Sequence, residues 1–319
     1  MYTAEQKQQI ESMHNAGMSG RKIANALGLS KSGVNYFLGQ LDVEGYTGRK
    51  PKQVEPKSKQ GPRILLLDYE TAGELVLTFG RFKQTFGNSS VIRKGGNILC
   101  AAYKWVGEEE IHSIAATPEE CLVGDDSRTV AKMWELYEQA DAVCAHNSQG
   151  FDHKVLRGRV AINGFPDLPT VKVLDTLVQA KKAFKLPSNS LETIAIYFGL
   201  ETKLAHSGKD LWVRVQSGDE SAMQSEMLPY CIQDVNVLGQ VFDKIRSFGN
   251  LGSNFNAGLY YDDGLMHCRS CGSTEVAPTG RDVYTDVTAW SEYRCGSCGS
   301  VHRNRKPKTT QATRALLLT

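Results

Sequence analysis

Between residues 63 and 250 the chain alternates strand-length apolar runs with longer segments that place apolar residues every three or four positions, and few folds accept that pattern. Strands are predicted at 63–68, 97–106, 110–115, 142–146 and 171–175, and helices at 127–140, 151–162, 189–198 and 219–247. The third helix is expected to start with a capping box, Asn189 three residues before Glu192, and to end at Gly199. The last carries the stripe Met227, Cys231, Val235, Leu238, Phe242, Ile245, spaced by fours and threes. Three strands, a helix, a strand and then more helices predict an α/β domain, a mixed sheet flanked by helices. The long Gly-rich stretch 71–96 has no period and is assigned to no element.

At 319 residues the chain has room for about two domains. Hydrophobic residues make up 41% and charged residues 23%, which excludes bulk disorder, collagen and coiled coil. No apolar run approaches the roughly 18 residues of a membrane span, and the start lacks a signal-peptide stretch. A cytoplasmic protein with no membrane partner is therefore expected. The net charge of +2 hides a division. Residues 1–63 hold 10 Lys/Arg and 5 Asp/Glu, and residues 299–319 hold 5 Lys/Arg and no acid. The middle holds 22 against 30, a net of −8. Basic ends suit a polyanion, whereas an acidic centre repels one unless cations bind there.

Three short acidic motifs lie in the central region. ILLLDYETA at 64–72 ends an apolar strand in Asp68 and Glu70, and residues i and i+2 of a strand share a face. Alone this is weak, since about one D-x-E arises by chance in such a chain, and Asp42–Glu44 is another. DAVCAHNSQGFDHKVL at 141–156 runs a buried strand into His146 and Asn147, then a Gly turn, then Phe151 and Asp152 opening a helix. YCIQD at 230–234 puts Tyr230 and Asp234 on one helix face, at i and i+4 beside the apolar stripe.

The order D-x-E, N-x-x-x-F-D, Y-x-x-x-D resembles the DEDD superfamily of 3′–5′ exonucleases, tyrosine-bearing subgroup, which has a ribonuclease H-like fold. The resemblance covers about 63–247. VLDTL at 173–177 and GKDLW at 208–212 also look like stretches of phage-encoded proteins of this kind. It implies that Asp68, Glu70, Asp152 and Asp234 hold two Mg²⁺ or Mn²⁺, that Tyr230 orients the attacking water, and that Asn147 and Phe151 contact the terminal nucleotide. The chemistry agrees. Two divalent metals about 3.5–4 Å apart can hold both oxygens of an in-line phosphodiester displacement, and hard cations favour carboxylates. A phenol with a pKa near 10 is a poor base at neutral pH, so orienting suits Tyr230 better than deprotonating. Asp175 reads as structural, Lys209 as solvated, and His146 and His153 stand outside the assignment. The reading requires Asp234 within about 10 Å of Asp68.

Four of the eight Cys form CRSC at 268–271 and CGSC at 295–298. Two thiolate pairs with this spacing close a tetrahedral structural Zn²⁺ site in a reducing compartment. Cys268, Cys271, Cys295 and Cys298 resemble a zinc ribbon (258–305), with VYTDVTAW and SEYR as its strands and a basic tail at 306–319. Cys100, Cys121, Cys144 and Cys231 read as small core residues. Residues 1–45 resemble a resolvase-type helix-turn-helix. Gly17 ends a first helix, Ser19 caps a second packing Ile23, Ala24 and Leu27, Gly28 makes the turn, and Ser30 caps a third. Lys31, Ser32 and Asn35 would face bases and Arg21 and Lys22 the backbone. Residues 46–62 read as a basic linker.

The function expected is a metal-dependent 3′–5′ exonuclease acting on nucleic acid with a free 3′ end, DNA favoured. Replication or recombination proteins are the partners it would serve in trans, and its oligomeric state is left open. A transposase or integrase shares a helix-turn-helix before a ribonuclease H-like domain, but uses Asp, Asp and a late Glu. A non-catalytic DNA-binding protein is the reading from a different class.

Overall fold

The computed structural model describes residues 2–29, 34, 37–38, 60–80 and 82–317. Its strands are β1 (Ile64–Thr71), β2 (Leu75–Val76), β3 (Val91–Arg93), β4 (Ile98–Trp105), β5 (His112–Ala115), β6 (Ala142–Ala145), β7 (Lys172–Asp175), β8 (Val276–Thr285), β9 (Thr288–Cys295) and β10 (Val301–Arg303). A five-stranded sheet runs in the order β5-β4-β1-β6-β7. β1 pairs antiparallel with β4 and parallel with β6, β4 antiparallel with β5, and β6 parallel with β7. Three antiparallel strands followed by two parallel ones, with β1 in the middle, form the mixed sheet of a ribonuclease H-like fold.

The period-2 alternation of β1 sorts its side chains into two cores. Leu65, Leu67 and Tyr69 pack against α4 (Ser127–Gln139) and α5 (Asp152–Asn163) through Val130, Met133, Tyr137, Leu156 and Val160. Ile64 and Leu66 face the opposite layer, built from α6 (Thr176–Ala183), α7 (Leu191–Phe198), α8 (Lys209–Gln216) and α9 (Leu228–Ile245). Asp68 and Glu70, next in that alternation, therefore emerge on the α9 side. A buried ion pair locks the first layer. Arg159 donates to Asp126 at 2.6 and 2.8 Å, and the Asp126 carboxylate also accepts from Asn163 and the Ile98 amide.

Several elements differ from expectation. The α7 cap is Ser190, whose hydroxyl accepts from the Thr193 amide, not Asn189. The helix expected over 219–247 is divided into a turn at Glu220–Ala222, a π-helical turn at Met223–Met227, and α9. Pro229 enters the first turn of α9 without an N–H, so the hydrogen-bond ladder shifts just ahead of it. α3 (Pro118–Val123), α6 and α8 fell in stretches assigned to no helix. The stretch 71–96 contains the β2–β3 ribbon.

At the N-terminus, α1 (Ala4–Asn15) and α2 (Gly20–Leu27) bury Ile10, Ile23 and Ala24 against helical Val34, Phe37 and Leu38. Ser19 caps α2, and Gly28 ends it at φ 63°. Ser19 also donates to Asp125 at 3.0 Å, and Arg21 donates to the carbonyls of Val123 and Gly124. The expected base contacts Lys31, Ser32 and Asn35, the Ser30 cap, and linker positions 46–59 lie outside the described residues. Near the C-terminus, β8, β9 and β10 form an antiparallel sheet, followed by the short α10 (Gln311–Ala315). The β8–β9 turn falls at Asp286 and Val287, inside the stretch expected to be one strand. Among the described residues no helix is long and apolar enough to cross a membrane.

Candidate active site

β1 outruns its neighbour. β6 pairs only with Ile64–Leu66, whereas β4 follows β1 through Thr71, with Asp68 opposite Ala102 and Glu70 opposite Cys100. One edge of β1 is thus free of β6 where the carboxylates begin. α9 crosses the same face and brings Asp234, 3% exposed, into the gap. Carboxylate oxygens of Asp68, Glu70 and Asp234 lie within 4.8 Å of one another. Asp152, the first residue of α5, is buried beside this trio but not part of it. Its pKa is raised well above the usual carboxylate range by burial, then by Asp68.

The trio is strained as a set of free carboxylates. Burial, then the Asp234 charge, pushes Asp68 up to about 7. Burial, then Asp68, pushes Glu70 to about 8. Asp234 is also raised by burial, against the pull of Lys203. Lys203, from the loop between α7 and α8, was absent from the sequence reading. It ion-pairs with Asp234 Oδ2 and donates to the Tyr230 hydroxyl at 3.1 Å. Asp234 Oδ1 is buried without a hydrogen-bond partner among the described residues. Clustered hard oxygens, one of them orphaned, fit divalent cations, whose positive charge would offset the burial and mutual repulsion that raise these pKa values.

Tyr230 sits one turn before Asp234, half-buried, its ring edge-on to His206 at 4.7 Å. Burial raises its pKa above the ordinary phenol value. Asn147 and Phe151 frame the turn between β6 and α5. Asn147 takes a left-handed φ of 79°, and its carbonyl accepts from the Gly150 and Phe151 amides. A Cβ on Gly150 would lie 2.4 Å from Asn147 Oδ1, so any side chain there would displace the Asn147 amide. Phe151 is 41% exposed at the lip of the site. Asp175 organises this turn. Fully buried, it accepts from the amides of Asn147, Gln149, Leu177 and Val178. His146 spans Thr176 and the Asn189 carbonyl, each at 2.9 Å. A carbonyl only accepts, so Nε2 carries the proton, and burial lowers the ring's pKa to about 4. His153 stacks on Tyr137, and Lys209 is exposed at the start of α8.

The second cluster is Cys268, Cys271, Cys295 and Cys298. Their Sγ atoms approach to 3.7 Å (Cys268 to Cys298) and 3.6 Å (Cys271 to Cys295). Tetrahedral Zn–S bonds of about 2.3 Å set sulfurs about 3.8 Å apart, so the four thiols fit such an ion. Each pair sits on a matching turn: Gly272 donates to the Cys268 carbonyl and Gly299 to that of Cys295. The Cys268 amide donates to Ser273 and the Cys295 amide to Ser300.

Fold and site together define a ribonuclease H-like α/β protein with a buried carboxylate cluster at the end of its central strand and a separate four-cysteine cluster. No protein-family profile matches the chain, and no curated protein matches it. Among solved structures it is similar to the family B DNA polymerase from the hyperthermophilic archaeon Pyrobaculum calidifontis, at 16% identity and a TM-score of 0.42. The match covers 60% of this chain and 26% of that one, so the chain spans about a quarter of the polymerase. Similarity of this degree decides nothing about activity.

Proposed function

We propose that the chain is a metal-dependent 3′–5′ exonuclease of the tyrosine-bearing DEDD kind, removing nucleotides from a free 3′ end, with DNA the favoured substrate. The observation that carries this reading is the convergence of Asp68, Glu70 and Asp234 within 4.8 Å, one turn from Tyr230. Asp68, Glu70, Asp152 and Asp234 would hold two Mg²⁺ or Mn²⁺, which when bound compensate phosphoryl charge and generate hydroxide from water. The remaining work belongs to side chains. Tyr230 orients the attacking water through its hydroxyl, which Lys203 holds in place. Its raised pKa keeps it protonated at neutral pH, which supports orienting over proton abstraction. Phe151 offers an exposed ring for the terminal base, and Asn147 a polar contact beside it.

In this reading Cys268, Cys271, Cys295 and Cys298 hold one structural Zn²⁺. The helix-turn-helix, through Lys31 and Asn35, adds a DNA contact. The test is digestion of end-labelled single-stranded DNA, duplex DNA and RNA with and without Mg²⁺. Release of 5′-mononucleotides from linear strands is expected, with no attack on a closed circular single strand. Cleavage of the circle would favour a transposase-like endonuclease. A protein that binds no Mn²⁺ by calorimetry would favour a non-catalytic role.

A further inference from the structure

The ribbon between β1 and β4 has a rigid root and a bare tip. At the root, Ala72 donates to the Asn97 carbonyl at 2.8 Å and Gly96 to the Ala72 carbonyl at 2.7 Å. A Cβ on Gly95 would lie 2.5 Å from the Gly73 backbone, so the two strands of the neck touch main chain to main chain. Arg93 fastens the root further by donating to the carbonyls of Leu122 and Gln216. Beyond the Leu77 to Ser90 hydrogen bond the chain carries Phe79, fully exposed, Phe82, 86% exposed, and Phe86, 48% exposed. Large apolar rings are rarely left in water at such density without a use.

Charge says what covers them. Residues 75–94 contain four cations, Arg81, Lys83, Arg93 and Lys94, and no Asp or Glu, within a central segment whose net charge is −8. Alternating rings and cations are what single-stranded nucleic acid needs: flat faces for its bases and positive charge for its phosphates. A protein surface chosen for an apolar partner has no need of the cations. The arm is also continuous with the acidic site. Leu75 is five residues on from Glu70, so the root of the arm lies at most roughly 18 Å from Glu70 along the chain. An acidic centre that must receive a polyanion gains from a cationic holder at that distance.

We propose that the arm 75–94 is a stacking platform for single-stranded nucleic acid, holding the strand whose end enters the acidic site. The placement rests on the exonuclease reading, whereas the binding itself is measurable without it. Phe79, Phe82 and Phe86 carry the bases, and Lys83 and Lys94 the phosphates.

The test uses the full chain and a labelled oligothymidylate of roughly 20 nucleotides, longer than the about 4–16 that such sites span. Anisotropy is read with no added divalent cation and no chelator. Replacing all three Phe by Ala is expected to weaken this binding at least tenfold and to change binding of a blunt duplex less than twofold. Replacing all three by Trp should retain binding. Cleavage of a trinucleotide, which has too few bases to stack along the arm, should keep its rate in all variants. Unchanged oligothymidylate binding by the Ala variant overturns the proposal. So does full binding by a Phe→Leu triple variant, which shows that greasiness alone suffices. Release of monomers from a self-associated wild type by the Ala variant, with oligothymidylate affinity intact, assigns the surface to a second copy and overturns it too. A wild type that binds the oligomer but never cleaves the trinucleotide sinks the nuclease reading and leaves the arm standing.

Discussion

Asp234 gives one carboxylate oxygen to Lys203 and keeps the other buried without a partner, and this asymmetry governs what substitution does there. Asp234→Asn or Asp68→Asn should abolish mononucleotide release while near-ultraviolet circular dichroism stays native, because the amide keeps the volume and loses the cation-binding charge. Retained turnover in both variants would reject the site. Tyr230→Phe is expected to lower kcat by at least about tenfold with little change in KM, since only the positioning of water is lost. The raised pKa values of Asp68, about 7, and Glu70, about 8, carry a consequence for stability. The folded protein keeps protons that the unfolded chain gives up near its ordinary carboxylate values. The contribution of these two groups to stability is therefore fullest below about pH 4 and is lost as pH rises through 7 to 8. In divalent-free buffer the drop in Tm from pH 5 to pH 8 should be larger in the wild type than in an Asp68→Asn, Glu70→Gln variant, and Mn²⁺ should raise the wild-type Tm more at pH 8. An equal Mn²⁺ effect at both values would show that the cluster does not bind as ionised carboxylates.

The central strands show how much the sequence tells at the level of elements. β4, β5, β6 and β7 were each predictable to within two residues from apolar runs, as were α4 and α5, because burial on a sheet imposes a period that propensity alone does not, whereas β1 runs three residues past its expected end, through Glu70 to Thr71. α6 was not, since Asp175 ends β7 and caps α6 at once, leaving no loop to announce the change. α8 is only eight residues long and lacks a side-chain cap. The trio itself was legible as motif order. Lys203 was not, because it rises from an aperiodic loop and meets Asp234 only after folding. The Asp126–Arg159 pair was equally hidden, 33 residues apart. It ties the start of α4 to α5 and both partners are buried, so Arg159→Ala leaves the Asp126 carboxylate without its cation. A loss of roughly 3–5 kcal/mol is expected by denaturant titration, whereas a loss below about 1 kcal/mol would mean that Asn163 and the Ile98 amide suffice.

Across the whole molecule, two clusters suited to cations sit on independent scaffolds, carboxylates on the central sheet and thiols on the β8–β10 sheet. The segments that precede the two sheets meet where the Gly61 amide donates to the Tyr260 carbonyl and Gln60 bridges Tyr261. One zinc per chain is expected by elemental analysis. Cys271→Ser with Cys298→Ser should remove it while mononucleotide release from a trinucleotide continues, and coupled loss of both would show that the scaffolds are not independent. Lys203 gives the acidic centre a tenant of its own. A tethered ammonium already neutralises part of the cage, so a divalent ion arrives by eviction rather than by filling a void, and the freed side chain stays leashed close by. Lys203→Met should accordingly tighten Mn²⁺ binding while lowering the Tm of the ion-free protein.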